Sequence, residues 1–334
     1  METVEDAIQA LRANLGRDRR RSGWVAGKPR ETALAPAALR GEPGRRNSAM
    51  AGFKDLLVIL DDAKTYGTRL DVAVHVASGF GAHLAGLFVH DPPAIPAWAQ
   101  SEGQAYVRSP SDYLEKHRQA WRAAALEAQQ RFRARADVAG ITTEWREHEG
   151  DVVEMAILNA RYTDMVIVGQ MEPELRAGRP AREVPERLLL GVGRPILVVP
   201  YAGAFNTVGE RVLVAWNGSR EATRAVHDAL PFLQSAAQVT VLTITHRHRT
   251  GGEGEVPGAD LAWHLSRHGV KADAAGLTAE DVAVAPMLLS RVADLQADLL
   301  VMGGYGHSRM REIILGGVTH EILRSMTVPT VLSH

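Results

Sequence analysis

Gly303, Gly306, Gly316 and Gly317 follow the apolar run Leu299-Leu300-Val301-Met302, in the order Gly-x2-Gly-x9-Gly-Gly. Glycines at a strand end leave backbone N–H groups uncovered and let a ligand approach the main chain. A helix that begins just beyond them adds its positive dipole end. The chemistry this suits is the cradling of a phosphate. The spacing is neither the Walker pattern nor the dinucleotide fingerprint. His307 and Ser308 lie within the run, where both can hydrogen-bond phosphate oxygens; Ser308 can equally cap a solvated helix start. Arg309 and Arg311 read as surface charges near enough to add positive field.

Other chemistry is sparse. Asn217 ends the apolar run Val212-Leu213-Val214-Ala215-Trp216, where its amide can hydrogen-bond but ligates a metal poorly compared with a carboxylate. Trp216 beside it can stack on a flat base or plug a pocket. His246 and His248 alternate without a third ligand and read as a polar loop. Asp151, after Gly150, reads as a helix N-cap. No nucleophile–histidine–acid order and no paired catalytic carboxylates stand out, so no catalytic or metal-ligating residue is assigned. With no cysteine in 334 residues, disulfides, thiol catalysis and Cys-ligated zinc are excluded.

The elements that must position these residues occur twice. Asp164-Met165-Val166-Ile167-Val168-Gly169 matches Asp298-Leu299-Leu300-Val301-Met302-Gly303 at an offset of 134, and the same offset carries Arg194–Val199 onto Val328–Ser333. Leu56–Asp61 pairs with Val212–Asn217 at an offset of 156, so the first copy holds 22 extra residues. Each copy alternates apolar strand runs with helical stretches, which implies parallel sheets covered on both faces by right-handed crossovers. In the first copy the strands are Lys54–Leu60, Ala82–His90, Ile141–His148, Met165–Gly169 and Pro195–Val199. The helices are Asp62–Ser78, a long one at Ser111–Val138, Asp151–Tyr162 and Glu183–Leu190, with a loop at Asp91–Pro110. In the second copy the strands are Arg211–Trp216, Gln238–Thr245, Val270–Ala275, Leu299–Met302 and Thr327–Leu332. Its helices are Ser219–Gln234, Ala259–Arg267, Val282–Gln296 and Met310–Ser325. The gap-free register puts Glu172, Arg182, Glu183 and Pro185 where the second copy has Gly306, Gly316, Gly317 and Thr319. Two carboxylates there oppose a polyanion. One phosphate-binding site is expected, in the second copy.

The glycine spacing after such a strand resembles the universal stress protein family, and the likeness runs from about Phe53 to His334. The resemblance implies two tandem Rossmann-like domains of the adenine nucleotide alpha hydrolase type. Each is an α/β unit with a five-stranded parallel sheet of order 3-2-1-4-5. The implied domains are 51–203, with a degenerate loop, and 208–334. It also implies binding of ATP or AMP, with Mg2+ at most through the phosphates. The implied contacts are Ala215, Trp216, Asn217, Met302, Gly303, Gly306, His307, Ser308, Gly316, Gly317, Val318 and Thr319. Family members usually carry Ser or Thr where Gly317 stands and Asp where Asn217 stands. Ligands in such sheets sit beyond the carboxyl ends of the strands at the switch point, here between strands one and four. The apolar fifth strand is a bare edge that invites pairing, either within the chain as a pseudo-dimer or between chains.

The remaining composition narrows the class. Hydrophobic residues are 46%, charged residues 23% and net charge −1, so no global field points to nucleic acid or a membrane. Residues 1–50 carry ten Lys+Arg and six Asp+Glu and read as an Arg-rich disordered extension, with Met50 offering a second start. The family resemblance implies a cytoplasmic stress-response regulator with at most slow ATPase activity, and leaves open whether it is an enzyme. Two alternatives stand beside it: a nucleotide-free scaffold that binds a protein partner, and an enzyme of the wider nucleotide-binding α/β group.

Overall fold

The computed structural model describes residues 52–61, 66–90, 110–171, 184–246, 258–279, 283–306 and 317–334. The expectations for the extension at 1–50, for most of the loop at 91–110, for Glu172, Arg182, Glu183 and His248, and for His307, Ser308, Arg309, Arg311 and Gly316 lie outside those residues.

Ten strands form one sheet in the order β3-β2-β1-β4-β5-β10-β9-β6-β7-β8. The first five are β1 (Asp55–Leu60), β2 (His83–His90), β3 (Thr143–Glu149), β4 (Met165–Gly169) and β5 (Ile196–Val199). The second five are β6 (Arg211–Trp216), β7 (Gln238–His246), β8 (Ala272–Ala279), β9 (Leu299–Gly303) and β10 (Thr330–Ser333). Within each half the pairing is parallel and follows the order 3-2-1-4-5. The halves meet through β5 and β10, which run antiparallel with Thr330 opposite Val198 and Leu332 opposite Ile196. The apolar fifth-strand edges thus cover one another inside one chain. All described elements belong to a single unit, residues 49–334.

Nine helices are described: α1 (Tyr66–Phe80), α2 (Pro110–Ala139), α3 (Val152–Ala160), α4 (Val184–Gly191), α5 (Arg220–Asp228), α6 (Leu230–Ser235), α7 (Ala259–Arg267), α8 (Val284–Asp294) and α9 (Gly317–Ser325). They lie on both faces because successive strand residues must be buried on opposite sides. Leu56, Val58 and Leu60 enter one apolar cluster, while Leu57 and Ile59 enter the other. Both clusters run through both halves. Phe53 and Phe80 meet Phe232 of the second half with ring centroids 5.2 and 5.3 Å apart.

The duplication is visible in the polar contacts too. Asp164 accepts the N–H groups of Lys54 and Asp55, and Asp298, 134 residues on, accepts those of Gly209, Glu210 and Arg211. Each aspartate anchors the start of its half's first strand. Asp151 caps α3, accepting from Val153 and Glu154 N–H. One element departs from the sequence expectation. The stretch Ser219–Gln234 is two helices, broken at Ala229 ahead of Pro231. Proline has no N–H to continue the ladder and starts a new helix in its first turn.

Candidate functional site

The site is built where β6 and β9 end side by side, paired from Val212–Leu299 to Ala215–Met302. Beyond β6 the chain turns at Gly218, whose φ of 69° suits glycine. Asn217 stabilises this turn: its Oδ1 accepts the Ser219 N–H at 3.1 Å. Ser219 then caps α5 by accepting the Ala222 N–H at 3.1 Å. The carboxamide oxygen of Asn217 therefore serves the turn.

The chain after β9 lies on the first turn of α5. A Cβ at Gly303 would strike the backbone of Glu221 and Ala222, so glycine is required for this close strand–helix approach. A Cβ at Gly304 would strike Leu189, on α4 of the first half. Tyr305 takes a left-handed φ of 58°, a costly conformation for a bulky residue. Its N–H donates to Thr319 Oγ1 at 3.2 Å, fixing the loop to α9. A Cβ at Gly306 would lie 2.6 Å from Glu221 Oε2 and 3.3 Å from Ser219 Oγ.

A cavity of about 300 Å3 opens at this place. Nine of the residues read from the sequence are described: Ala215, Trp216, Asn217, Met302, Gly303, Gly306, Gly317, Val318 and Thr319. All nine line the cavity. Leu242, Ile244, Val284, Leu288 and Tyr305 complete its wall. These five were not singled out from the sequence. Leu242 and Ile244 are ordinary strand residues there, and only their place at the end of β7 makes them lining. Tyr305 did carry a signal, as a large residue between glycines. The Trp216 indole is a wall that leaves the cavity open. It also borders a second cavity of about 250 Å3 lined by Thr223, Val226, His227, Asp260, Leu261 and His264.

Among the described residues, one charge beside the glycines was missed by sequence reading. Glu221 is 6% exposed beneath Gly306. Burial pushes its carboxyl up, but its own backbone N–H, the Arg220 guanidinium and His334 outweigh burial and hold it below the ordinary glutamate range. Arg220 Nη2 is 2.9 Å from Oε1. None of the cavity-lining residues named above is Lys or Arg. Among the described residues no group of three or more His, Asp and Glu is arranged to hold a metal ion. Beside the second cavity, His227, His264 and His268 cluster with ring centroids 4.8–6.5 Å apart. Burial, then His268, His227 and Arg267, lower the pKa of His264.

At the matching place in the first half, the Arg69 side chain lies against Gly169, where a Cβ would strike the guanidinium. Arg69 Nη1 donates to the Ile59 carbonyl at 2.5 Å and pairs with Asp61 at 3.2 Å. An arginine side chain thus covers the glycine that the two halves share.

The model of the universal stress protein family matches residues 209–334. Residues 209–334 are therefore similar to universal stress protein domains. Universal stress protein Slr1230 of Synechocystis sp. is 29% identical over 153 residues, covering 44% of this chain and 49% of that protein. The chain thus spans about half the length of this curated relative. Among solved structures, a universal stress protein from Archaeoglobus fulgidus superposes with a TM-score of 0.63 at 16% identity, over 84% of this chain and 95% of that one. A functionally unknown protein of Pseudomonas aeruginosa gives a TM-score of 0.51 at 12% identity, over 86% and 94%. Both share the fold across the two halves. No helix among the described residues is long and apolar enough to cross a membrane.

Proposed function

We propose that residues 209–334 bind an adenine nucleotide, ATP or AMP, in the cavity between β6 and β9, and that the chain is a cytoplasmic regulator of a stress response. The observation that carries this reading is the convergence of nine residues, separated by up to 104 positions in the chain, on one cavity of about 300 Å3. The residues present fit such a ligand. The apolar wall of Leu242, Ile244, Val284 and Leu288, with the Trp216 indole, suits a flat base. The glycine-bounded end suits phosphate, because Gly303, Gly306 and Gly317 put backbone against the cavity without side chains. A Mg2+ ion would be held through the phosphates, since Asn217 supplies no carboxylate. No side chain among the lining residues is a base poised beside a phosphate, so any hydrolysis is slow. Equilibrium binding of a fluorescent ATP analogue to the wild type and to Gly306→Glu tests the assignment. A loss of at least tenfold in the variant is the expected result, and equal affinities would remove the loop from the site.

A second reading is a nucleotide-free scaffold for a protein partner. The observations favouring it are that Gly303 and Gly304 are required by packing against Ala222 and Leu189, and that Glu221 places negative charge under the loop. Native mass spectrometry of the purified protein separates the two: a co-purified adenine nucleotide supports the first, and its absence at saturating added ATP supports the second.

A further inference from the structure

We infer that Glu221 makes the site discriminate against highly charged phosphate chains, so that its ligand is a nucleoside or nucleoside monophosphate rather than a free triphosphate. This rests on the adenine-nucleotide reading above. The inference begins with the N-terminus of α5, which would otherwise be the natural anion seat beside the cavity. Donors at this end already serve the chain itself. Ser219 N–H goes to Asn217 Oδ1, Ala222 N–H to Ser219 Oγ, and Thr223 N–H to the Ser219 carbonyl. The N–H of Glu221 bonds its own carboxylate. The positive end of this helix therefore holds an anion that belongs to the chain.

That anion lies directly under the phosphate end of the cavity. Glu221 Oε2 would sit 2.6 Å from a Cβ on Gly306, and Gly306 lines the cavity. Its backbone carries Gly303, whose Cβ position coincides with the Glu221–Ala222 peptide. The helix turn that bears the carboxylate is thus held against the loop backbone. Arg220 binds the other oxygen, Oε1, at 2.9 Å, but its side chain is 81% exposed and so is screened by water. Among the described residues, a phosphate beside Gly306 meets a buried negative charge with an exposed partner. Like charges about 7 Å apart at an effective dielectric of about 20 shift an equilibrium between about ten- and a hundredfold. Each further phosphate adds to the opposition, whereas a nucleoside does not meet it.

The test is calorimetric titration of adenosine, AMP, ADP and ATP into the full chain, with EDTA present, at two salt concentrations. The expected result is that AMP binds about tenfold tighter than ATP, and that raising the salt strengthens ATP binding, because screening relieves repulsion. Glu221→Gln should tighten ATP about tenfold and leave adenosine within about twofold. Adenosine serves as the control for the fold of the variant. Salt weakening ATP binding in the wild type, or ATP binding tighter than AMP, would overturn the inference while leaving the nucleotide site in place. Glu221→Gln changing adenosine and ATP equally would do the same. No binding of any of the four would overturn the adenine site itself, and this inference with it. The salt measurement needs no variant, so the inference stays exposed even if Glu221→Gln does not fold.

Discussion

At Gly303 the obstacle to a side chain is backbone, whereas at Gly306 it is the end of a carboxylate. Backbone cannot be moved by a rotamer change, so Gly303→Ala should lose about 1–3 kcal/mol of stability by overpacking. Gly306→Ala should lose less, and most of that loss should vanish in a Glu221→Ala background, because the clash is with that side chain. Urea unfolding of the wild type, the three single variants and the Gly306→Ala/Glu221→Ala double variant checks this, and equal losses in both backgrounds would contradict the contact. A second residue-scale effect concerns His90 and His264. Burial lowers both; at His90, Glu149 opposes it while His117 and Arg118 add to it, and at His264 the neighbouring histidines and Arg267 reinforce it. Folding therefore excludes protons that the unfolded chain accepts, and stability rises with pH where the unfolded state binds more protons. The contribution is intact above the ordinary imidazole value near ~6.5 and drains away as pH falls below it. The depressed carboxylates Asp151, Glu144 and Glu221 act in a separate, more acidic window. The urea midpoint should drop between pH 7.5 and 5.5, and His264→Gln should flatten that drop. An unchanged slope in the variant would show that His264 carries none of it.

The loop after β9 is held to β10 and the C-terminus at Gly304, whose N–H donates to the Ser333 carbonyl and whose carbonyl meets His334 Nδ1, and to α9 by the hydrogen bond from the Tyr305 N–H to Thr319 Oγ1. Thr319 is 4% exposed, so Thr319→Val keeps the shape but leaves a buried donor without an acceptor. That should cost about 1–3 kcal/mol and release the left-handed turn at Tyr305. Binding of the nucleotide analogue should weaken with it, while Thr319→Ser should restore both; a Val variant as stable as the wild type would mean the turn holds itself. This contact also marks the limit of what the sequence discloses. The strands were legible because runs such as Leu56–Leu60 and Leu299–Met302 are buried on both faces and are therefore apolar without interruption. The strand-end glycines were legible because glycine declares where backbone must come close. Glu221 was not, since a charged residue in the first turn of a helix ordinarily faces water, and only the loop folding over it makes it buried. Pro231 did announce the α5–α6 break, but the helical pattern on both sides of it, from Ala222 to Leu233, concealed it.

For the whole molecule, the duplication has become a single sheet, and the two halves should not unfold separately. Both apolar clusters cross the β5–β10 junction. The polar contacts at the junction follow the same offset of 134: Glu186 faces His320 at 3.8 Å, and Gln170 Nε2 donates to the Leu323 carbonyl, while Leu189 meets Gly304 where Gln170 has its counterpart. Leu189 and Leu323 are themselves equivalent residues. The first half thus supports the loop of the site in the second, although Arg69 covers its own shared glycine. Phe232 reports on this coupling best, because it is 1% exposed and packs on Phe53 and Phe80 of the other half. Phe232→Ala should cost about 3–5 kcal/mol. If the halves are one cooperative unit, the loss should appear equally in both. Segment-resolved hydrogen exchange in urea measures this directly: amides of β1 and β4 should lose protection together with those of β6 and β9, at one shared and lowered midpoint. Protection lost in β6 and β9 while β1 and β4 keep the wild-type midpoint would show that the shared sheet joins two independently stable bodies. The Leu189–Gly304 contact could not then hold the loop once the first half moved.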